Sequence, residues 1–139
     1  MSTTIVVGVD GSEDSRRAVA WATKQAVALG ASVVAVHAVG MLEHERGDPS
    51  GAHLMPDVRA WTSDLEQLPP GSVERRLVPG DPVTALATVA AEEHADIVVV
   101  GTRGVGAAGT LGSTSLQLAE RSLGALVIVP RSTWSDRPT

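Results

Sequence analysis

The stretch Thr4-Ile5-Val6-Val7-Gly8-Val9-Asp10-Gly11-Ser12-Glu13-Asp14-Ser15 decides the fold. Thr4 to Val9 is a β-branched run with no polar face, the pattern of a strand buried on both sides in a parallel sheet. Asp10-Gly11-Ser12 then turns the chain. Ser12 is placed to cap a helix, and Glu13 and Asp14 suit the positive end of its dipole. Val19, Ala22, Ala26 and Leu29 recur at helical spacing, with Ala18 and Trp21 adjoining that face. Gly30 is a stop signal.

The same alternation continues to the end of the chain. Ala31 to Val39 is a second buried strand, and Gly40 to Pro56 has no period and reads as a loop. A helix is expected over Asp57 to Leu68, with Val58, Trp61 and Leu65 on one face, ended by Pro69-Pro70-Gly71. Ser72 to Val78 alternates loosely and predicts a peripheral strand. Asp81-Pro82 is a helix start, with Asp at the cap and Pro at the first helical position. That helix reaches about His94 on Val83, Leu86, Ala87, Ala90 and Ala91. Ile97 to Val100 is the most hydrophobic strand, and a helix over Ser113 to Ser122 and a strand over Ala125 to Val129 close the pattern. Such β-α alternation predicts an α/β fold with a parallel sheet and helices on both faces. Ligands in these sheets bind beyond the carboxyl ends of the strands, where the strand order reverses. Asp10 and the segment after Val100 have the character to meet there.

Composition narrows the rest. A chain of 139 residues is expected to form one domain over 1–139, with 131–139 as a polar tail. With no cysteine, disulfides, thiolate metal sites and a cysteine nucleophile are excluded. Trp21, Trp61 and Trp134 are the only aromatic residues, and the net charge is −5. Both argue against nucleic acid as a partner, since neither a stacking platform nor a basic surface is present. No apolar run reaches the ~20 residues of a membrane span. The first residues lack the basic start of a signal peptide, so the expected location is cytoplasmic.

The chemistry is concentrated in Gly101 to Ser115, which holds five glycines. Glycine lets backbone approach a ligand closely, and successive amides can form an anion-binding concavity. The segment leads into a helix opening with Ser113, Thr114 and Ser115, whose free amides, dipole and hydroxyls favour a phosphate. Arg103 is a nearby cation. The bland alternative is a flexible turn. No Lys follows Gly112, so this is not a P-loop, and the turn after the first strand is not a dinucleotide fingerprint.

The opening IVVGVDGSEDSRRAVAWA, the strand VVAVHAV, the GDPVTAL helix start, the strand ADIVVVGTRG and the ending GSTSLQLAERSLGALVIVP together resemble the universal stress protein family. The resemblance covers nearly the full length. It implies a three-layer, five-stranded parallel sheet of order 3-2-1-4-5, Rossmann-like and akin to adenine nucleotide alpha hydrolases. It also implies homodimers paired through the last strand. Many members bind ATP, with magnesium, through a pattern G-x2-G-x9-G-[ST]. Here Gly101 and Gly104 match the first pair and Gly112-Ser113 the last. On that resemblance Gly101, Gly104, Gly112, Ser113 and Thr114 would contact ribose and phosphates, with Arg103 and Ser115 beside them. Asp10 would lie near the ribose and any metal. The Ala38 backbone would read the adenine edge, and Gly8 and Val9 would line the pocket. The chain departs from the pattern in one respect: seven residues separate Gly104 from Gly112, where the family usually has nine. Two residues are worth up to ~7 Å of extended reach.

The expected function is therefore a stress-type regulatory protein that binds an adenine nucleotide at the ends of strands one and four. No catalytic residue is assigned; Arg103 and Asp10 would support at most slow hydrolysis. The shortened loop motivates a second reading, a dimer that binds no nucleotide and acts through protein contacts. A third, an adenylating enzyme, would need a Ser-Gly-Gly-x-Asp-Ser loop that Gly11-Ser12-Glu13-Asp14-Ser15 only faintly echoes. Other polar residues have plain readings. Asp10 alone would make an Asx turn. His37 reads as a hydrogen-bonded core histidine, and His94 as a cation in a last helical turn. Arg75 and Arg76 read as a solvated edge. Glu43, His44, Glu45, Asp48 and His53 share a loop, but their spacing matches no standard metal site.

Overall fold

The computed structural model describes residues 2–40, 51–102, 113–121 and 124–130. Five parallel strands, β1 (Thr4–Gly8), β2 (Ser32–Val39), β3 (Val73–Pro79), β4 (Ile97–Gly101) and β5 (Ala125–Val129), form one sheet of order β3-β2-β1-β4-β5. The register sets Val6 beside Val34 and Val98, so β1 is the central strand. The chain runs outward from β1 through β2 to β3, returns to β4 on the other side of β1, and ends at the β5 edge. The strand order thus reverses between β1 and β4.

Alternation along β1 divides the core. Ile5, Val7 and Val9 face one layer and Val6 the other, all buried. The first layer is α1 (Glu13–Leu29), with α2 (Met55–Trp61) and a 3-10 turn at Ser63–Gln67. The second holds α3 (Pro82–Glu92) and α4 (Ser113–Glu120), which contribute Leu86, Val89 and Leu118. With both faces covered, the strands need no polar side, as their sequence anticipated.

The helix ends follow their local signals. The Ser12 hydroxyl accepts from the Ser15 amide, and the Asp81 carboxylate accepts from the Thr84 amide. Hydrogen bonding by the Thr84 side chain, then by its amide, holds the exposed Asp81 carboxyl below its ordinary value. Gly30 closes α1 at φ 64°, and the amide of Ala31 reaches back to the Ala26 carbonyl.

Four expectations need correction. The helix expected over 57–68 starts at Met55 and breaks at Thr62, continuing only as a 3-10 turn. The Thr62 hydroxyl bonds back to the Val58 carbonyl at 2.6 Å and accepts Arg75 Nε from β3 at 2.8 Å, which fixes the break. His94 is not in the last helical turn: α3 ends at Glu92, and His94 occupies the left-handed position beyond it (φ 50°) while the Ala95 amide bonds to the Ala90 carbonyl. Leu29 is 53% exposed, because Ala26 is the last α1 residue to reach the sheet, and Ala91 is likewise exposed. Arg75 is not a solvated feature. Its side chain is only 14% exposed and is held by Glu66 and Thr62, whereas Arg76 pairs with Glu92 near the surface.

Candidate functional site

The site begins where β1 runs out. Val9 stays in the ladder by donating to the Val36 carbonyl at 2.9 Å, and Asp10 then leaves the sheet. Asp10 Oδ1 accepts the Ser12 amide at 2.9 Å, so the expected Asx turn is present. Ser15 Oγ donates to the Ser12 carbonyl at 3.1 Å and accepts the Asp10 amide at 3.3 Å. Together with the Ser12 cap, these bonds join the end of β1 rigidly to the first turn of α1. Gly11, at φ 83°, is required at the turn twice over, since a Cβ there would also come within 2.8 Å of the Trp61 indole.

His37 braces the neighbouring strand end. Its Nδ1 lies 2.8 Å from the Val9 carbonyl. A carbonyl only accepts, so Nδ1 carries the proton in this bond. The ring meets Trp61 edge-on, with centroids 5.4 Å apart. The reading of His37 as a hydrogen-bonded histidine therefore holds, though the residue is half-buried and also lines the cavity described next.

Between these strand ends lies a cavity of about 390 Å³, within the usual range for small-molecule sites. Gly8, Val9 and Asp10 of the β1 end, Val36 to Ala38 of β2, and Val100 to Thr102 of the β4 end form its floor. Ser12, Asp14 and Ser15 of α1 form one wall, and Pro82, Ala85 and Leu86 of α3 the other. The cavity thus sits at the reversal of strand order, where an open parallel sheet splays its crossovers to opposite faces. Two glycines let its walls approach the floor. A Cβ on Gly8 would meet Leu86 Cδ1 at 3.1 Å, and one on Gly101 would collide with the backbone carbonyl group of Asp14.

Thr102 continues the β4 strand by donating its amide to the Val129 carbonyl at 3.1 Å. Its hydroxyl is buried and has no hydrogen-bond partner among the described residues. Among the described residues no group of three or more His, Asp or Glu could hold a metal ion, and no helix is long and apolar enough to cross a membrane.

Of the residues singled out in the sequence, Gly8, Val9, Asp10, Ala38 and Gly101 converge on this cavity. Ser113, Thr114 and Ser115 open α4, the helix that follows β4. Arg103, Gly104 and Gly112 lie outside the described residues, as do Glu43, His44, Glu45 and Asp48. Sequence reasoning missed the α3 wall and the roles of Ser15, Asp14 and Thr102. Ser15 could have been found, because a serine three residues after a serine cap can close a ring of bonds around the turn. Nothing local marks Leu86 or Thr102; their place depends on how the layers pack.

A sequence model of the family described as the Universal stress protein family matches residues 1–130. A Thermus aquaticus protein described as "Universal stress protein in QAH/OAS sulfhydrylase 3'region" is 35% identical over 118 residues, covering 80% of this chain and 85% of that protein. A crystal structure of a universal stress protein in complex with cAMP is 32% identical, with a TM-score of 0.73, covering 91% of this chain and 95% of that one. A universal stress protein from Archaeoglobus fulgidus in complex with dAMP is 21% identical, with a TM-score of 0.71 and coverage of 91% and 97%. At that identity the likeness is one of fold.

Proposed function

The chain belongs to the universal stress protein family, and from that premise we propose that it is a regulatory module binding an adenine nucleotide beyond the ends of β1 and β4. The observation that carries this is the cavity at the reversal of strand order, whose walls close on the floor at Gly8 and Gly101 and whose lining includes Gly8, Val9, Asp10, Ala38 and Gly101. Its walls divide by chemistry. Val9, Val36, Ala38 and Leu86 offer a mostly apolar slot for a flat base, and Asp10, Ser12, Ser15 and Thr102 offer polar groups for sugar and phosphate. On the family pattern, Arg103, Gly104, Gly112 and the Ser113–Ser115 helix start are proposed to serve the phosphates.

ATP with magnesium is the ligand for which the glycine pattern argues. Asp10 lines the cavity, and a carboxylate is the oxygen donor that magnesium prefers. The metal would supply charge neutralisation of the phosphates. A cyclic nucleotide is the second reading, favoured by the seven-residue spacing from Gly104 to Gly112 and by the cAMP complex of a protein 32% identical to this one. Any hydrolysis there is proposed to be slow. The output is proposed to pass through a homodimer paired at β5. That edge strand is an apolar Ala-Leu-Val-Ile-Val run, whereas the opposite edge, β3, carries Glu74, Arg75 and Arg76.

Isothermal titration with magnesium ATP and with cAMP, up to about a millimolar, tests the proposal within the usual affinity scale. Saturable heat with either supports nucleotide binding, and the ratio of the two affinities decides the ligand. No heat with either, in a folded protein that releases no nucleotide on denaturation, would leave the reading as a dimer acting through protein contacts.

A further inference from the structure

We propose that Thr102 is a ligand-contact residue of this cavity, its hydroxyl meeting an oxygen of the sugar–phosphate part of a bound nucleotide; this rests on the nucleotide reading above. Thr102 lines the cavity beside Val100 and Gly101, and its amide is fixed by the Val129 carbonyl, so its backbone is held as a continuation of β4. Its hydroxyl is the one buried side-chain polar atom without a hydrogen-bond partner among the described residues. The contrast with the other cavity hydroxyls is informative. Ser12 accepts the Ser15 amide, and Ser15 bonds to both the Ser12 carbonyl and the Asp10 amide. Those two serines are occupied in holding the turn, and the Thr102 hydroxyl makes no such bond among the described residues.

A buried hydroxyl without a partner destabilises the protein that carries it. Valine has nearly the same shape and would fill the position without that penalty. Retention of the hydroxyl is explained if it has a partner in the bound state. The route is short. One step about χ1 exchanges the hydroxyl and methyl of a threonine, which turns the hydroxyl from the wall toward the cavity that the residue already lines. A hydroxyl both donates and accepts, so it suits a phosphate oxygen or a ribose hydroxyl. The base is proposed to lie at the other end, against Val9 and Ala38, which leaves the sugar–phosphate part for Thr102.

The test compares Thr102→Val and Thr102→Ser with the wild-type chain, by thermal unfolding without ligand and by titration with adenosine, AMP, cAMP and magnesium ATP. Thr102→Val is expected to melt about 3 °C higher than wild type, because an unsatisfied buried group is removed. It is also expected to bind at least one phosphate-bearing nucleotide about tenfold more weakly. Thr102→Ser keeps wild-type affinity. Adenosine weakened as much as AMP assigns the contact to the ribose, and adenosine unaffected assigns it to the phosphate; either supports the inference. Wild-type affinity of Thr102→Val for every ligand overturns it, as does a Thr102→Ser variant as weak as Thr102→Val. A wild-type chain that binds none of the four overturns the nucleotide reading as well, so the two failures are distinct.

Discussion

Replacing Gly101 by alanine should loosen both the fold and the site, and the structure sets the size of the effect. A Cβ built on Gly101 would sit 2.6 Å from the carbonyl carbon of Asp14 and 2.9 Å from its Cβ, with the carbonyl oxygen closer still. Ordinary contact begins at 3.4 Å, so β4 and the first turn of α1 would have to part by about 0.8 Å, the kind of backbone shift that accompanies overpacking. The obstacle is backbone in a helix tied down by the Ser12 cap and the Ser15 bonds, and no side-chain rotation relieves it. Overpacking of this kind costs up to about 3 kcal/mol, and the smaller entropy of the unfolded alanine chain returns about 0.5 kcal/mol. The net of about 2.5 kcal/mol corresponds to a drop of about 8 °C in a chain of this size. Because Ser12, Asp14 and Ser15 move with the helix, nucleotide affinity should fall at least about tenfold, as for any binding geometry displaced by most of an ångström. Circular dichroism melts and titration with cAMP and magnesium ATP read the two effects. A Gly101→Ala variant that melts within 2 °C of wild type would refute the claim that β4 and α1 meet backbone to backbone here.

Gly8→Ala is the gentler counterpart: the tight contact of its Cβ is with the end of Leu86 at 3.1 Å, with Val100 at an ordinary 3.5 Å, and Leu86 can swing aside, so the melting temperature should fall by less than about 3 °C while calorimetry shows weakened nucleotide binding. His37→Phe keeps the ring against Trp61 but loses the donor to the Val9 carbonyl; it should weaken binding about fivefold, and His37→Asn, which restores an N–H near Nδ1, should recover most of it by the same titration. His94→Gly relieves a left-handed residue at the end of α3 and should raise the melting temperature by about 3 °C. The Asp81 carboxyl is held below 3.8 in the folded chain. Its contribution is therefore complete above that value and is lost as pH falls through the lowered one. Melting curves recorded from about pH 5 downward should fall less steeply for Asp81→Asn, which caps without titrating; equal slopes would contradict the assignment.

The parts of this molecule that were legible in its sequence are those whose cause is local. A β-branched run such as Thr4–Gly8 needs only to be covered on both faces, and the Asp81-Pro82 and Gly30 signals act through bonds within four or five residues. The break at Thr62 was not legible, because its second cause is an arginine on β3, 13 residues away. The left-handed stop at His94 was missed for a different reason. The bonding that ends α3 there is the one glycine usually serves, and histidine gives no such signal. In the site, the glycines could be picked out because they mark close approach. The residues they approach, Leu86 and Asp14, belong to other elements and became visible only with the packing.

That asymmetry bears on how the cavity keeps its shape. Asp81 fixes where α3 begins, and Pro82 and Leu86, four residues apart, therefore lie on one face of the helix, the face that forms the cavity wall. Leu86 can press on β1 only because Gly8 lacks a side chain at the point of contact. Moving the cap by one residue would turn that face by ~100° about the helix axis. With one residue inserted after the cap, that residue and Ala85 would take the places that Pro82 and Leu86 now hold. An insertion between Asp81 and Pro82 should therefore damage ligand binding more than it damages folding. The helix can still be capped by Asp81, but the Leu86 side chain would no longer meet the space that Gly8 leaves.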